Sequence, residues 1–401
     1  MVSSFSRLAY KTICTAIAVL SMASPLLGQM DTSLEQRLNA LERKVQSLAQ
    51  ENSELKSQLG WKGKVAPVMT QPAGKEAKLS VGGFLQGQAE FGQPADSRWN
   101  GTKDRFFFRR ARIVVAGSFA EDFDFKAEID LQGNTLSAAT GQLTRANEIF
   151  INWRKYAFAN VRFGQLKPAF GAEALLSDTK MLTIERSLSS DRLADGRQIA
   201  LAVMGELFNK KVSYLAMVAN GNGANVSAND NSKFQKSARV TFVPVANDHD
   251  KVSVGVDGLW TRDVGVSKSD FGLTGNLFSG SREMAGLDGQ WSHGPFEVTG
   301  EWLHGTFRPT GSVPATQFSA EGWQATAAWF VLPAKLQLVL REEQFDPNTA
   351  TSGNTVRTSV VGFNYLIKGD DLKLSLNYLI GNAAGNAADA NRFLARVQVV
   401  Y

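Results

Sequence analysis

The connections between short alternating segments constrain this chain more than any other feature of its sequence. From residue 79 onward, apolar and polar residues alternate with a period of two, as expected for strands that have one apolar face. Seven connections between these segments are very short, and eight are long and rich in Gly, Asn, Ser, Asp and Thr. Short and long connections alternate without a break, which is typical of a transmembrane barrel with short turns at one end and long loops at the other.

We therefore predict an all-β fold in which sixteen antiparallel strands close into a transmembrane β-barrel over residues 79–401. Closure is required because no unpaired strand edge can face the hydrocarbon of a bilayer. An even strand count places both ends of the barrel on the side of the short turns. The predicted strands are 79–91, 106–119, 123–133, 145–155, 159–167, 197–208, 211–220, 236–244, 251–261, 282–293, 295–306, 318–330, 335–346, 356–367, 371–381 and 391–401.

The last predicted strand shows which face meets lipid. Phe393, Val397 and Tyr401 fall on one face, whereas Arg392 and Arg396 fall on the other. A Lys or Arg on the lipid face at mid-bilayer costs roughly 2–4 kcal/mol, so the apolar set must face outward. The aromatic final residue at this parity also resembles the C-terminal signature of bacterial outer-membrane proteins.

The first 28 residues have the pattern of a secretory signal peptide. Arg7 and Lys11 precede a short apolar stretch, and small residues follow it. The stretch is too short to span a membrane, and its flanks predict cleavage after Ala23 or Gly28. Cys14 is the one cysteine of the chain and lies inside this segment. We therefore expect a mature chain without disulfides, exported from the cytoplasm.

Residues 31–60 change the period from two to seven and predict a coiled coil. The a and d positions are Leu34, Leu38, Leu41, Val45, Leu48, Asn52, Leu55 and Leu59. These heptads fit a dimer as well as a trimer. The alternative is a single amphipathic helix packed on its own protein, although its apolar stripe is narrower than a globular helix needs. Residues 61–78 contain Pro67, Pro72 and several Lys, and are predicted to form a linker.

Three segments carry a family resemblance. Phe106–Arg112 (FFFRRAR) continues to an acidic and aromatic hairpin at Asp122–Glu128, Arg162–Gly171 reads RFGQLKPAFG, and Glu185–Leu188 reads ERSL. In this order and spacing they resemble the phosphate-selective porin O and P family of bacterial outer-membrane channels. The resemblance is clear over about residues 79–205 and rests on the barrel pattern from there to the C-terminus.

The resemblance implies a homotrimeric porin in the bacterial outer membrane, with the third external loop, about residues 168–196, folded into the pore as a constriction. It implies passive diffusion of small hydrophilic solutes, with a preference for anions such as phosphate. The family's lumen cations carry over to Arg110, Arg112, Lys167, Lys180 and Arg186. A series of fixed positive charges lowers the entry barrier for anions, and guanidinium groups bind phosphate oxygens in bidentate fashion.

Acidic residues of the same loop leave a second interpretation open. Asp178, Glu185, Asp191 and Asp195 share the predicted constriction, and ion pairs with them would reduce the channel to weakly selective diffusion. Arg109 directly precedes Arg110 in an alternating strand, so we expect it to point outward and reach the membrane rim.

Other functions have less support in the sequence. The coiled coil and linker suggest an alternative in which the barrel tethers the envelope through the periplasm, with peptidoglycan as a partner. The sequence contains no zinc-site spacing, no P-loop, no Gly-x-Gly-x-x-Gly and no Gly-x-Ser-x-Gly, so we expect no metal, no cofactor and no enzymatic activity. The formal charge of +5 is too dispersed to predict nucleic-acid binding.

Overall fold

The computed structural model describes residues 78–132, 145–310, 316–382 and 390–401. The predicted signal peptide and coiled coil, and all but the last residue of the predicted linker, lie outside the described residues. Two short helices, Ala172–Leu175 (α1) and Leu188–Leu193 (α2), accompany the strands. The strands are Lys78–Gly92 (β1), Arg105–Phe119 (β2), Phe123–Asp130 (β3), Arg145–Tyr156 (β4), Ala159–Leu166 (β5), Gln198–Leu207 (β6), Val212–Ala219 (β7), Gln235–Ala246 (β8), Asp250–Ser267 (β9), Leu277–His293 (β10), Phe296–Pro309 (β11), Phe318–Leu332 (β12), Leu336–Asp346 (β13), Val356–Lys368 (β14), Leu372–Asn382 (β15) and Ala390–Val400 (β16).

The sixteen strands form one closed antiparallel barrel. Each strand pairs with its neighbours in the sequence, and β1 closes the barrel by pairing with β16. The closing register runs from Phe84 opposite Val400 to Gly92 opposite Arg392. The predicted sixteen-stranded antiparallel barrel is therefore confirmed. Among the described residues, no helix is long and apolar enough to cross a membrane.

Tight turns at one end of the barrel impose this neighbour-to-neighbour order. Gly294 and Gly369, in the turns after β10 and β14, both have a φ of 54°, a left-handed conformation that glycine adopts without steric cost. The turn after β6 uses Asn209 and Lys210 at φ values of 54° and 68°. Connections this short leave no room for a crossover, so consecutive strands must pair as antiparallel neighbours.

The predicted alternation of side chains is also present in the structure. In β16, Arg392, Arg396 and Gln398 are buried inside the barrel, whereas Val397 and Val399 are exposed on its outer face. The same parity leaves large apolar side chains exposed on the outside of every strand that carries them. The outer surface therefore suits lipid, and the polar residues are left to the lumen.

The predicted long connection at 262–281 is wrong in its extent. β9 continues to Ser267 and β10 begins at Leu277, so the connection between them is only 268–276 and contains a 3-10 turn at Thr274–Asn276. The ladder continues past a register shift between Phe278 and Gly280. Such a bulge keeps two strands paired where a strict period of two is interrupted. The barrel wall is consequently taller at β9 and β10 than the sequence pattern predicts.

Candidate pore constriction

The connection between β5 and β6, residues 167–197, folds into the barrel, and we call it the constriction loop. Its backbone carbonyls accept hydrogen bonds from side chains of distant strands: Asp178 from Gln86 (3.0 Å), Leu182 from Asn364 (2.8 Å). The carbonyl of Thr179 accepts from Lys373 (3.1 Å). These donors lie on the inner faces of β1, β14 and β15, far from β5 in the barrel order. The loop therefore crosses the lumen and lies along the opposite wall.

The carboxylate of Asp178 joins the loop to β2. It lies 2.6 Å from Arg112 Nη1 and 3.4 Å from Arg110 Nη2. Arg186, from the loop itself, contacts the same carboxylate at 2.7 Å. Arg110 and Arg112 are almost fully buried, and Arg112 also contacts Asp130 of β3 at 2.9 Å. Three of the predicted pore arginines are therefore brought together, but around a loop carboxylate.

Glu185 makes a second ionic connection to the wall. Its Oε1 lies 3.0 Å from Arg109 Nε on β2 and 2.5 Å from Arg396 Nη2 on β16. Arg396 also donates to the carbonyl of Ile184, and Arg341 donates to the carbonyl of Glu185 at 2.8 Å. Both carboxylates of the segment 178–186 are thus paired with guanidinium groups from β2, from β16 and from the loop itself.

The expectation that Arg109 points outward is wrong. Arg109 is only 6% exposed and reaches Glu185 inside the barrel. A bulge between β1 and β2 explains this, because Arg110 is opposite Gln86 whereas Phe108 is opposite the next residue, Gly87. Arg109 is the extra residue on β2, so two successive side chains enter the lumen. The outward positions before the bulge belong to Phe106 and Phe108, both exposed.

Burial and charge act in opposite directions on the two loop carboxyls. Burial alone would raise the pKa of Asp178, but Arg110, Arg186 and Arg112 outweigh it and hold that pKa well below its ordinary value. Burial would likewise raise the pKa of Glu185, and Arg109 and Arg396 lower it instead. Both groups therefore stay ionised at all moderate pH values, and the ion pairs persist.

The segment that follows is held by apolar contacts. Leu188 and Leu193 of α2 are 2% and 0% exposed, and they join a cluster that includes Phe307 and Phe345 from the inner faces of β11 and β13. The approach is close, since a methyl group at Gly322 of β12 would lie 2.5 Å from Ser189 Cβ. An apolar cluster inside a barrel departs from the polar lumen that the strand pattern predicts.

A further ionic contact secures the end of the loop. Asp195 contacts Lys268 and Arg282, each at 2.7 Å. Burial alone would raise the pKa of Asp195, but the charges of Arg282 and Lys268 lower it below its ordinary value. Arg282 in turn pairs with Asp263 on β9. The loop therefore returns to β6 tied to β9 and β10, the two longest strands.

Two predicted site residues, Lys167 and Lys180, form no ion pair with Asp178 or Glu185. Lys167 donates to the carbonyls of Ala174 (2.7 Å) and Leu176 (3.0 Å), and burial together with the charge of Arg186 lowers the pKa of its ammonium to about 7. Lys180 is largely exposed and contacts Asp370 at 3.0 Å. An exposed pair of this kind stabilises a protein by about 1 kcal/mol at most.

A cavity of about 330 Å³ lies between the constriction loop and the inner wall of β8–β12. We call it the loop cavity. Its loop side is formed by Ala172, Glu173, Leu176 and residues 180–183, so these parts of the loop leave space against the barrel wall. The charged side chains that line it are Glu173, Lys180, Arg239, Lys251, Asp288, Glu297 and Glu301.

Sequence reasoning missed several residues of this site. Gln86, Asn364 and Lys373 fasten the loop through its backbone, and Glu301 accepts hydrogen bonds from the amides of Ala172 and Glu173. Strand parity places all four strand residues inside the barrel. It gives no sign of which inward residues meet the loop, because those contacts depend on the path of the loop.

Comparisons with known proteins agree with this architecture. The chain matches the family described as phosphate-selective porin O and P over residues 83–401. Porin O of Pseudomonas aeruginosa is 25% identical over 305 residues, which cover 68% of this chain and 68% of that protein.

Two solved structures show the same fold. The outer-membrane channel DcaP of Acinetobacter baumannii is 13% identical, with a TM-score of 0.57 over 83% of this chain and 99% of that one. The anion-selective porin from Comamonas acidovorans is 12% identical, with a TM-score of 0.56 over 81% of this chain and 100% of that one.

Proposed function

The chain belongs to the phosphate-selective porin O and P family, and from this membership we propose that it acts as a homotrimeric channel for the passive diffusion of small hydrophilic solutes. It is an outer-membrane porin, a channel rather than an enzyme. The observation that carries the proposal is the constriction loop, which is fastened to the inner wall of β1, β2 and β13–β16 and leaves the loop cavity open against β8–β12.

We propose a weak anion preference rather than a strong one. Arg110, Arg112 and Arg186 are already paired with Asp178, so the carried-over arginines act first as positioning groups for the loop. In the described part of the chain, Lys167 and Arg162 are two cations without a carboxylate partner within 4 Å. The guanidinium of Arg162 lies 4.1 Å from the centre of the Phe150 ring. Fixed cations of this kind attract anions such as phosphate without binding them tightly.

The N-terminal region completes the proposal. We propose that residues 1–28 direct export, that 31–60 form a periplasmic coiled coil and that 61–78 connect it to the barrel beginning at residue 79. Four heptads are marginal alone, but three barrels already held together would raise their local concentration. A role in tethering to peptidoglycan rests on the same heptads and is the second candidate.

Ion selectivity of single channels tests this function. The mature protein is inserted into a planar bilayer, and the reversal potential is measured under a KCl gradient before and after inorganic phosphate is added. We expect stepwise conductance and a reversal potential that lies modestly toward the chloride equilibrium potential. Arg162→Ala should reduce this anion preference. The matched control is Arg262→Ala, because Arg262 is exposed on β9 and faces away from the lumen.

The outcomes separate the parts of the proposal. Conductance without any ion preference would overturn the anion preference and leave a general porin. A folded trimer that does not conduct would overturn the channel and favour the tethering function. Equal effects of the two arginine substitutions would show that Arg162 has no particular position along the ion path.

A further inference from the structure

The lining of the loop cavity contains more carboxyl groups than cations, namely Glu173, Asp288, Glu297 and Glu301 against Lys180, Arg239 and Lys251. Asp288 and Glu301 are directly opposite each other in the β10–β11 ladder, and both line the cavity. Asp257 of β9 lies beside Asp288, since both contact the guanidinium of Arg239. Two of these three carboxyl groups, Asp257 and Asp288, therefore share one arginine, and acidic groups directly opposite in a ladder repel when both are charged.

Glu301 is the member of this group without a cation. Its side chain is 94% buried, being 6% exposed, and no Lys, Arg or His nitrogen of the described ranges lies within 4 Å of it. Its Oε1 accepts from the amide of Ala172 at 2.5 Å and from that of Glu173 at 3.4 Å, which places the loop carboxylate Glu173 nearby. Its Oε2 has no hydrogen-bond partner among the described residues. A buried acceptor without a partner is costly, and a cationic donor would remove that cost.

Part of the cavity lining, here called the aliphatic wall, is apolar. Ala172, Leu176, Met181 and Leu182 of the constriction loop line it, together with Val243 of β8. Leu176 is 40% exposed, which is unusual for a leucine beside a water-filled passage. The cavity of about 330 Å³ therefore offers carboxyl groups together with an aliphatic wall.

We propose that the loop cavity binds small organic solutes that carry a primary ammonium group on an aliphatic body. The ammonium lies at Glu301 and Asp288, and the aliphatic body lies against Leu176 and Leu182. This inference deepens the proposed function and rests on it, because it names a solute class for which the channel has a binding position. It is distinct from the weak anion preference, which concerns the cations near β4 and β5.

The chemistry of the wall favours an ammonium over a metal ion. Within the part of the chain that the structure describes, no group of three His, Cys, Asp or Glu side chains is arranged to hold a metal. An ammonium needs only hydrogen-bond acceptors, and its attached chain gains from the aliphatic wall that a bare metal ion could not use.

Block of single-channel current by n-pentylammonium chloride is the direct test. We expect brief concentration-dependent interruptions in the wild type and an affinity about tenfold lower in Glu301→Gln, the loss typical of one charge-assisted hydrogen bond. The matched control is Glu283→Gln, since Glu283 is exposed and contacts Arg308 at 2.6 Å on the outside of the barrel. Sodium pentanoate has the same body with the opposite charge and should block less.

A second variant and a second measurement keep the test independent of folding and of conduction. Leu176→Ser removes the aliphatic wall at an exposed position and should weaken block by n-pentylammonium but not by methylammonium. In detergent, n-pentylammonium should raise the Tm of the wild type more than that of Glu301→Gln, whether or not the protein conducts.

Equal block of the wild type and Glu301→Gln, or stronger block by pentanoate than by pentylammonium, would overturn the inference while leaving the channel in place. Failure to conduct, together with a normal rise of Tm on addition of pentylammonium, would overturn the proposed function and leave the binding position supported.

Discussion

Two neighbouring stretches of the constriction loop are held against the barrel wall by different forces. Residues 178–186 carry Asp178 and Glu185, which five arginine contacts tie to β2, β16 and the loop itself. Residues 188–193 form α2, whose Leu188 and Leu193 are buried among aromatic side chains of β11 and β13. The first stretch is ionic and directional, and the second is apolar and without directional contacts.

The two kinds of contact contribute differently to the position of the loop and to its stability. A buried ion pair gains little net free energy, because desolvation offsets most of the attraction, whereas each fully buried Leu stabilises the fold by about 1.5–3 kcal/mol. The arginine contacts therefore define where the loop lies across the lumen, and the α2 contacts supply most of the free energy that keeps it there. The ionic stretch also determines which charges solutes meet.

The strongest way to break the ionic stretch is Asp178→Asn. It removes the carboxylate charge that Arg110, Arg112 and Arg186 share, and removing one partner from a buried ionic network costs about 3–5 kcal/mol. We expect the chloride-to-potassium permeability ratio to rise about fivefold, equivalent to about 1 kcal/mol of interaction with the passing ion. Reversal potentials in a KCl gradient measure it. An unchanged ratio would mean that these arginines do not face the ion path.

Leu193→Ala tests the apolar stretch. The side chain is fully buried, and truncation of a buried Leu costs about 2–5 kcal/mol because it leaves a cavity. We expect noisier open-channel current and faster tryptic cleavage at Arg192 or Arg197, with the permeability ratio unchanged. Val331→Ala is the control, since Val331 is 39% exposed on the outside of β12. A change in selectivity equal to that of Asp178→Asn would contradict the separation of roles.

Titration of Lys167 should have a smaller, pH-dependent effect on the ion selectivity of the channel. Its pKa is lowered to about 7 by burial and by the charge of Arg186, so the ammonium is charged below pH 7 and loses its proton above it. We expect the anion preference to fall by less than about twofold between pH 6 and pH 8. Lys167→Met should remove this dependence, measured as reversal potential against pH. A pH profile identical in both proteins would show that another group titrates.

Acid should have the smallest effect. The pKa values of Asp178 and Glu185 are lowered in the folded protein, so their contribution to stability is fully present above the ordinary carboxyl pKa of about 4. It is lost only as the pH falls through the lowered folded values. Conductance, noise and trypsin resistance should therefore be the same at pH 7 and pH 4.5. Loosening of the loop at pH 4.5 would mean that the arginines do not hold these carboxyls ionised.

The sequence determined the barrel. A period of two, with short and long connections in alternation, predicts sixteen antiparallel strands, because bilayer hydrocarbon forces closure and forces apolar residues outward. Strand parity also placed Arg396 inside, and the family resemblance implied the lumen position of Arg110 and Arg112 and the constriction loop at 168–196. These properties follow from local patterns and from a solvent boundary that is the same for every strand.

Only the tertiary structure decided what the inward residues do. Arg109 enters the lumen because β2 has a bulge opposite β1, and a bulge depends on the pairing partner. Arg110 and Arg112 are neutralised because Asp178 lies beside them, although it is far away in the sequence. Glu301 is left without a cation because Arg239 is shared by Asp257 and Asp288. Burial and ion pairing depend on contacts between distant segments, and a periodic pattern along one strand does not contain that information.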